Sequence, residues 1–129
     1  MSDFREAIVR RIRSFSVAHR IEINGWCLSV QAGEGHYCSP RKTLDSIYNY
    51  DSFEIALWVK QNGKDGRFLN IDMLFPGLEL DQRDKVVGYV PVEKVQELYN
   101  LLQEVAPPPN VNDYVYVSPY YQQLLEEDK

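Results

Sequence analysis

The side chains best suited to chemistry gather in residues 33–50 of this chain. The segment mixes turn-forming residues with a histidine, two cations and three tyrosines: His36, Tyr37, Arg41, Lys42, Tyr48 and Tyr50. Arginine supplies paired hydrogen-bond donors for a phosphate or a carboxylate, and aromatic rings stack on planar groups. A loop of this length is uncommon inside a small domain and is often functional. The segment therefore predicts a ligand-binding site.

A later hairpin supplies three further ligand-binding candidates: Arg67, Phe68 and Asn70. Arg67 would bind an anionic group, Phe68 would stack on a ring, and Asn70 would read the edge of a base. A structural explanation stays open beside this one. In it, the tyrosines of residues 33–50 close the end of a sheet, and the two arginines pair with nearby aspartates.

Covalent and metal chemistry fit these residues poorly. Only two residues separate Cys38 from Arg41, and one of them is Pro40, so a phosphate-cradling loop around a cysteine nucleophile cannot form. Cys27 and Cys38 are eleven positions apart, which matches neither a CxxC redox motif nor a zinc ribbon. We therefore expect no catalytic residue, no metal and no cofactor, and a protein that is not an enzyme.

The elements around these residues predict an α+β fold. Apolar residues recur at helical spacing near the N-terminus, and Asn24-Gly25 between alternating apolar positions indicates a tight hairpin. We predict a helix over 3–16, strands near 18–23, 26–32 and 52–60, a returning hairpin strand over 67–73, a short strand over 86–90, and a helix over 91–104 that begins at Pro91. These elements form one domain over 1–106, with a mostly antiparallel sheet of four or five strands (18–90) and the C-terminal helix packed on it. The N-terminal helix either joins that face or serves an oligomer.

A proline-led tail follows this domain over residues 107–129. Three consecutive prolines stop the helix and favour an extended spacer. Four of the nine tyrosines come after it and are candidates for partner binding: Tyr114, Tyr116, Tyr120 and Tyr121. The tail either docks on its own domain or is exchanged between subunits.

Charge and hydropathy exclude several classes of protein. The chain has 129 residues and a formal net charge of −5, although its first twenty residues carry five arginines against Asp3 and Glu6, a net of +3. An acidic chain binds nucleic-acid phosphates poorly, so we expect no direct nucleic-acid binding. The early arginines interrupt any signal-peptide core, and no apolar run is long enough to span a bilayer. We expect a cytoplasmic protein with no membrane association.

Three strings in this sequence resemble small proteins of tailed phages and prophages that have no established chemistry. These are the strand Val30-Gln31-Ala32-Gly33, the loop His36-Tyr37-Cys38-Ser39-Pro40-Arg41, and the junction Gly88-Tyr89-Val90-Pro91-Val92-Glu93. They occur in the same order in that family, and the resemblance covers roughly residues 21–105. It implies an accessory, anti-defence protein that acts in the host cytoplasm.

In size and α+β build the chain is also similar to the phage anti-Thoeris sponge family, which binds molecules of the cyclic ADP-ribose type. The analogy implies a symmetric homo-oligomer in which Arg41, Arg67 and the nearby aromatic rings enclose a nucleotide-derived immune signal without turnover. Two alternatives stay open. One is a protein-binding inhibitor of a host defence or nucleic-acid-processing complex, and the other is a small enzyme acting on nucleotides.

Overall fold

Five antiparallel strands form one sheet in the computed structural model, which describes residues 2–11, 18–42, 44 and 46–118. The strands are β1 (Ala18–Ile23), β2 (Trp26–Gln31), β3 (Ser52–Gln61), β4 (Lys64–Asp65) and β5 (Val87–Pro91). The helices in the described residues are α1 (Phe4–Arg11), α2 (Ile71–Leu74) and α3 (Val92–Glu104). The predicted α+β class is confirmed. Residues 12–16 of the predicted first helix lie outside the described residues.

The β1–β2 hairpin forms as its turn residues predict. Asn24 and Gly25 have φ angles of 50° and 90°, which is the left-handed pair that a tight two-residue hairpin turn requires. The strands pair from Ile23↔Trp26 at the turn to Ala18↔Gln31 at the far end.

Strand β3 is the centre of the sheet, because it pairs along both of its sides. On one side, all of β2 pairs with residues 54–59 of β3. The other side is shared by three segments: β5 lies opposite Ser52–Ile55, the Leu69 N–H donates to the Leu57 carbonyl at 2.7 Å, and β4 lies opposite Lys60–Gln61. The central strand is therefore closed on this side by pieces that are far apart in sequence.

The predicted return strand over 67–73 is wrong. Asn62 and Gly63 adopt φ angles of 53° and 77° and close a tight turn, so the hairpin pairs at once and only Lys64–Asp65 form a strand. Further along, the Asn70 side chain accepts a hydrogen bond from Met73 N at 3.1 Å and caps α2. Residues 71–73 are helical for this reason.

The main core lies between one face of the sheet and the helices. Alternate residues of β3 (Phe53, Ile55, Leu57 and Val59) are buried against the apolar stripe of α3, which consists of Val95, Leu98, Tyr99 and Leu102. α1 joins the same face. The Phe4 and Phe53 rings pack edge-on with their centres 5.6 Å apart, and the backbone N–H of Phe4 donates to Gln96 Oε1 at 3.0 Å. The described part of the N-terminal helix therefore packs on the same face of the sheet as α3, which is one of the two roles predicted for it.

Helix α3 follows β5 without a loop. Pro91 has φ −59° and ψ 152°, so it is the N-cap residue and Val92 is the first helical residue, one position later than predicted. The extended ψ lets Pro91 finish the strand before the helix begins. No helix in the described part of the chain is long and apolar enough to cross a membrane.

The chain after α3 lies on its own domain as far as it is described. Trp26 Nε1 donates to the Val105 carbonyl at 2.6 Å, and Pro107 packs beside the Gly25 turn. Val115 then bridges to Leu69 as an antiparallel partner, and Tyr116 N donates to the Phe68 carbonyl at 2.9 Å. Residues 105–118 therefore dock in cis, whereas Tyr120 and Tyr121 lie outside the described residues.

Candidate functional site

The loop over 33–42 has a defined shape because buried side chains bind its backbone. Cys38 is 1% exposed, and its Sγ lies 3.3 Å from Gly33 N and 3.4 Å from the Gly33 and Pro40 carbonyl oxygens. Tyr50 is 2% exposed, donates its hydroxyl to the Lys42 carbonyl at 2.6 Å and accepts from Leu44 N at 2.8 Å. The structure thus places Tyr50, predicted to bind ligand, in the core, where it fixes the loop.

Three side chains meet at one end of the sheet. The sequence predicts Tyr37 and Arg41 as ligand-binding residues, but it does not predict Tyr89. The Arg41 guanidinium carbon lies 5.1 Å from the centre of the Tyr37 ring, and the Tyr37 and Tyr89 rings lie 6.0 Å apart. Tyr37 is 51% exposed and Tyr89 is 52% exposed. We call this group the Tyr37–Arg41–Tyr89 surface. It combines a cation with two rings that are available to a ligand.

Glu54 holds the loop against β3 beneath this surface. Its Oε2 accepts from Tyr37 N at 2.9 Å, and its Oε1 lies 3.3 Å from His36 Nδ1. His36, predicted to bind ligand, therefore lies beside the surface with one ring nitrogen bound to Glu54. One carboxylate thus positions both the histidine and the tyrosine of the loop.

Tyr89 has a backbone conformation that non-glycine residues rarely adopt. Its φ is 54°, and it lies in β5 where the pairing with β3 shifts register between Phe53 and Ile55. The Tyr89 N–H donates to the Tyr37 carbonyl at 2.8 Å, which joins the β5 bulge to the loop. Such strain costs on the order of 1–3 kcal/mol and concentrates at functional sites.

Gly88 allows the loop to approach this bulge. A Cβ atom added at Gly88 would lie 2.7 Å from the Tyr37 Cβ, far closer than two carbon atoms can pack. Tyr89 is not predicted from the sequence, because the strand alternation shows no bulge. The one available signal was a glycine directly before an aromatic residue in a short strand.

Arg41 and Arg67, predicted to share one ligand, belong to segments that join β3 at different positions. Tyr37 lies beside Glu54, whereas Gly66, next to Arg67, donates its N–H to the Val59 carbonyl at 2.8 Å. At about 3.3 Å per strand residue, these two positions on β3 are about 16 Å apart. The segments that carry the two arginines are therefore anchored at different places along the central strand.

The remaining predicted ligand residues have structural contacts. Phe68 packs 5.4 Å from the Trp58 ring on the second face of the sheet, and Asn70 caps α2. Tyr48 is half-exposed and lies under the Arg5 guanidinium at 4.7 Å, outside the Tyr37–Arg41–Tyr89 surface. Of the tail tyrosines, Tyr116 donates its hydroxyl to the Arg83 carbonyl at 2.7 Å and so holds the tail to its own domain.

An ion-pair network covers the second face of the sheet away from the candidate site. Arg20 Nη2 lies 2.7 Å from Asp65 Oδ1, and Trp58 Nε1 donates to the same oxygen at 3.0 Å. The hydrogen bond from Trp58, followed by that from Arg20, lowers the pKa of Asp65. Burial raises the pKa of Cys27 beneath this network, so its thiol stays protonated.

The chemistry available at the candidate surface is recognition of charge and of planar groups. Across the described residues, no three His, Cys, Asp or Glu side chains are grouped so as to hold a metal ion. Both cysteines are buried and unpaired. The Cys38 sulfur faces the loop's own backbone.

No protein-family model, curated protein or solved structure matches this chain.

Proposed function

We propose that this protein binds a nucleotide-class ligand, with a planar ring and a phosphate, and sequesters it without converting it. The observation that carries the proposal is the Arg41 guanidinium held 5.1 Å over the Tyr37 ring beside the strained, half-exposed Tyr89. Tyrosine rings stack on a base, and a guanidinium binds phosphate oxygens with two parallel N–H groups.

Arg41 is positioned for an anion from outside the chain. Its Nε donates to the Glu34 carbonyl at 3.2 Å, which fixes the guanidinium plane and leaves its terminal nitrogens for a ligand. Among the described residues no carboxylate forms an ion pair with it, while Arg5, Arg20 and Arg83 each have one. A phosphate would supply the missing charge.

The buried loop chemistry supports binding without turnover. Cys38 is enclosed by backbone groups, and His36 is bound to Glu54 rather than to a nucleophile. Covalent catalysis needs an exposed nucleophile within hydrogen-bond reach of its base. A protein that sequesters a nucleotide-derived immune signal needs binding of this kind. The resemblance to phage proteins supports that role in the host cytoplasm.

The openness of the surface supports a symmetric homo-oligomer. The Tyr37 and Tyr89 rings are each about half exposed in one chain, so a single copy buries only part of a nucleotide. Tight small-molecule sites bury most of the ligand. A second copy facing the same surface would enclose it.

Native mass spectrometry and calorimetry with a panel of cyclic and linear nucleotides test this function. We expect an unmodified nucleotide bound in a whole-number ratio, and we expect Arg41→Ala to weaken binding about tenfold or more. Arg67→Ala is the matched control and should bind like the wild type. The proposal fails if the wild type retains no nucleotide or if Arg41→Ala binds as well as the wild type. A change in ligand mass would instead favour an enzyme.

A protein-binding inhibitor is the second candidate, because two half-exposed tyrosines beside an arginine are also typical of an interface hot spot. This function predicts that a host defence complex binds the wild type but not Tyr89→Ala, and that no nucleotide in the panel binds. Retention of the complex by Tyr89→Ala would contradict it.

A further inference from the structure

We propose that a cavity apart from the Tyr37–Arg41–Tyr89 surface binds the zwitterionic backbone of a free α-amino acid with an aliphatic side chain. The cavity, about 430 Å³, lies where the end of β3 meets the docked segment after α3. Its lining residues are Gln61, Arg67, Asn112, Asp113, Val115 and Val117. We call it the Arg67–Asp113 cavity, and it is separate from the Tyr37–Arg41–Tyr89 surface.

Two exposed side chains of opposite charge, Arg67 and Asp113, line this cavity without forming an ion pair with each other. In the described part of the chain, the Arg67 guanidinium has no hydrogen-bond or ion-pair partner, and no ion pair joins it to Asp113. Asp113 Oδ2 accepts only a long, 3.3 Å bond from the Asn110 amide. A ligand with one charge of each sign, a short distance apart, satisfies both groups at once.

An amino acid has this pair of charges on its backbone. Its carboxylate would accept two N–H groups from Arg67, and its ammonium would donate to Asp113. A nucleotide fits less well, because Asp113 would repel its phosphate and the lining holds no aromatic ring for its base.

The apolar residues of the lining favour an aliphatic side chain on the bound amino acid. Val115 and Val117 are two residues apart in an extended segment, so both side chains lie on the same face. They form an aliphatic wall beside the charged pair. The volume, about 430 Å³, lies within the range for small-molecule sites.

The cavity wall is anchored on both sides. Gln61 Nε2 donates to Asn112 Oδ1 at 2.5 Å, which ties the end of β3 to the turn that carries Asp113. Tyr116, between the two valines, bonds to the Phe68 backbone. These bonds hold Asp113 and the valines beside the end of β3.

Calorimetry and ¹H–¹⁵N NMR titration of the full chain with L-leucine test the inference. N-acetyl-leucine lacks the ammonium and leucinamide lacks the carboxylate, so each removes one of the two expected contacts. We expect leucine to bind and both blocked forms to bind about tenfold more weakly or worse. Arg67→Gln and Asp113→Asn should each lose leucine binding, and Arg83→Gln, whose side chain is exposed and pairs with Asp81, is the control.

Three results would overturn the inference: no leucine binding by the wild type, equal binding of leucine and its blocked forms, or unchanged binding by Asp113→Asn. Thermal unfolding of each variant shows that a loss of binding does not come from a loss of fold. Arg41→Ala should bind leucine normally, so failure here and failure of the nucleotide proposal are separate results.

Discussion

At the scale of single residues, Tyr89 and Gly88 show how the candidate surface is built. An aromatic residue with φ 54° is held in that conformation by its bond to the Tyr37 carbonyl and by the shifted pairing with β3. Neighbouring structure must stabilise this conformation by more than its strain. Glycine would adopt this φ with little strain, so the tyrosine ring at position 89 is held there at an energetic cost.

Gly88→Ala is expected to destabilise the protein by about 1–3 kcal/mol, because the new Cβ would overlap Tyr37 and force the loop away from β5. Urea denaturation measures the change. Gly77→Ala is the matched control, since a Cβ at Gly77 meets no atom within 4 Å. Equal stability of the two variants would show that Tyr37 does not pack against Gly88.

Tyr116→Phe tests a single hydrogen bond that holds the segment after α3. The variant removes the hydroxyl that donates to the Arg83 carbonyl and should lower the free energy of unfolding by about 1 kcal/mol. Tyr114→Phe is the control, because its hydroxyl has no hydrogen-bond partner among the described residues, and it should change stability little. Identical urea midpoints for wild type and Tyr116→Phe would argue against docking in cis.

At the scale of elements, the second face of the sheet is tied together by Asp65 on β4. Its carboxylate accepts from Trp58 on β3 and pairs with Arg20 on β1, so one side chain links three strands. These contacts favour the ionised form and lower its pKa.

This pKa shift predicts how stability depends on pH. A group with a lowered folded pKa stabilises the protein fully above its unfolded value, here 3.8, and that contribution is lost as the pH falls below it. Melting temperatures of the wild type and Asp65→Asn should therefore differ by a constant amount from pH 7 to about pH 5 and converge below about pH 4. A difference that stays constant down to pH 3 would contradict the prediction.

The elements that sequence predicts well are those fixed by their own residues. Asn24-Gly25 determines the first hairpin, and the apolar stripe from Val92 to Leu102 determines α3. The return strand over 67–73 could not be predicted correctly, because the turn at Asn62-Gly63 sets a register that alternation alone does not show. Likewise, the sequence of one loop predicts His36, Tyr37 and Arg41 as site residues. The place of Tyr89 beside them depends on contacts between distant segments.

At the scale of the whole molecule, the two proposed sites lie at different places along β3. The Tyr37–Arg41–Tyr89 surface is held at Glu54, near the start of the strand, and the Arg67–Asp113 cavity lies at its end, beside Gln61. Both depend on segments that join the sheet from later in the chain.

The two cysteine thiols report on unfolding from both faces of the sheet, because Cys38 lies in the main core and Cys27 in the apolar cluster of the second face. Cys27 and Cys38 are 3% and 1% exposed, and burial raises the pKa of Cys27, which leaves little reactive thiolate. A disulfide-exchange reagent such as DTNB should therefore label neither thiol in the folded protein and both in urea. Labelling of one thiol at a rate faster than unfolding would show local opening at that site.

The divided outer side of β3 has a consequence for how the chain is made. As the ribosome releases the protein, β1, β2 and β3 emerge first, but β3 keeps an open edge opposite Ser52–Ile55 until Val87–Pro91 has emerged. An open apolar strand edge is a template for pairing with other chains. Nascent or truncated forms that end before β5 should therefore be the aggregation-prone species during overproduction, and a chaperone that covers this edge would raise the yield of the complete protein.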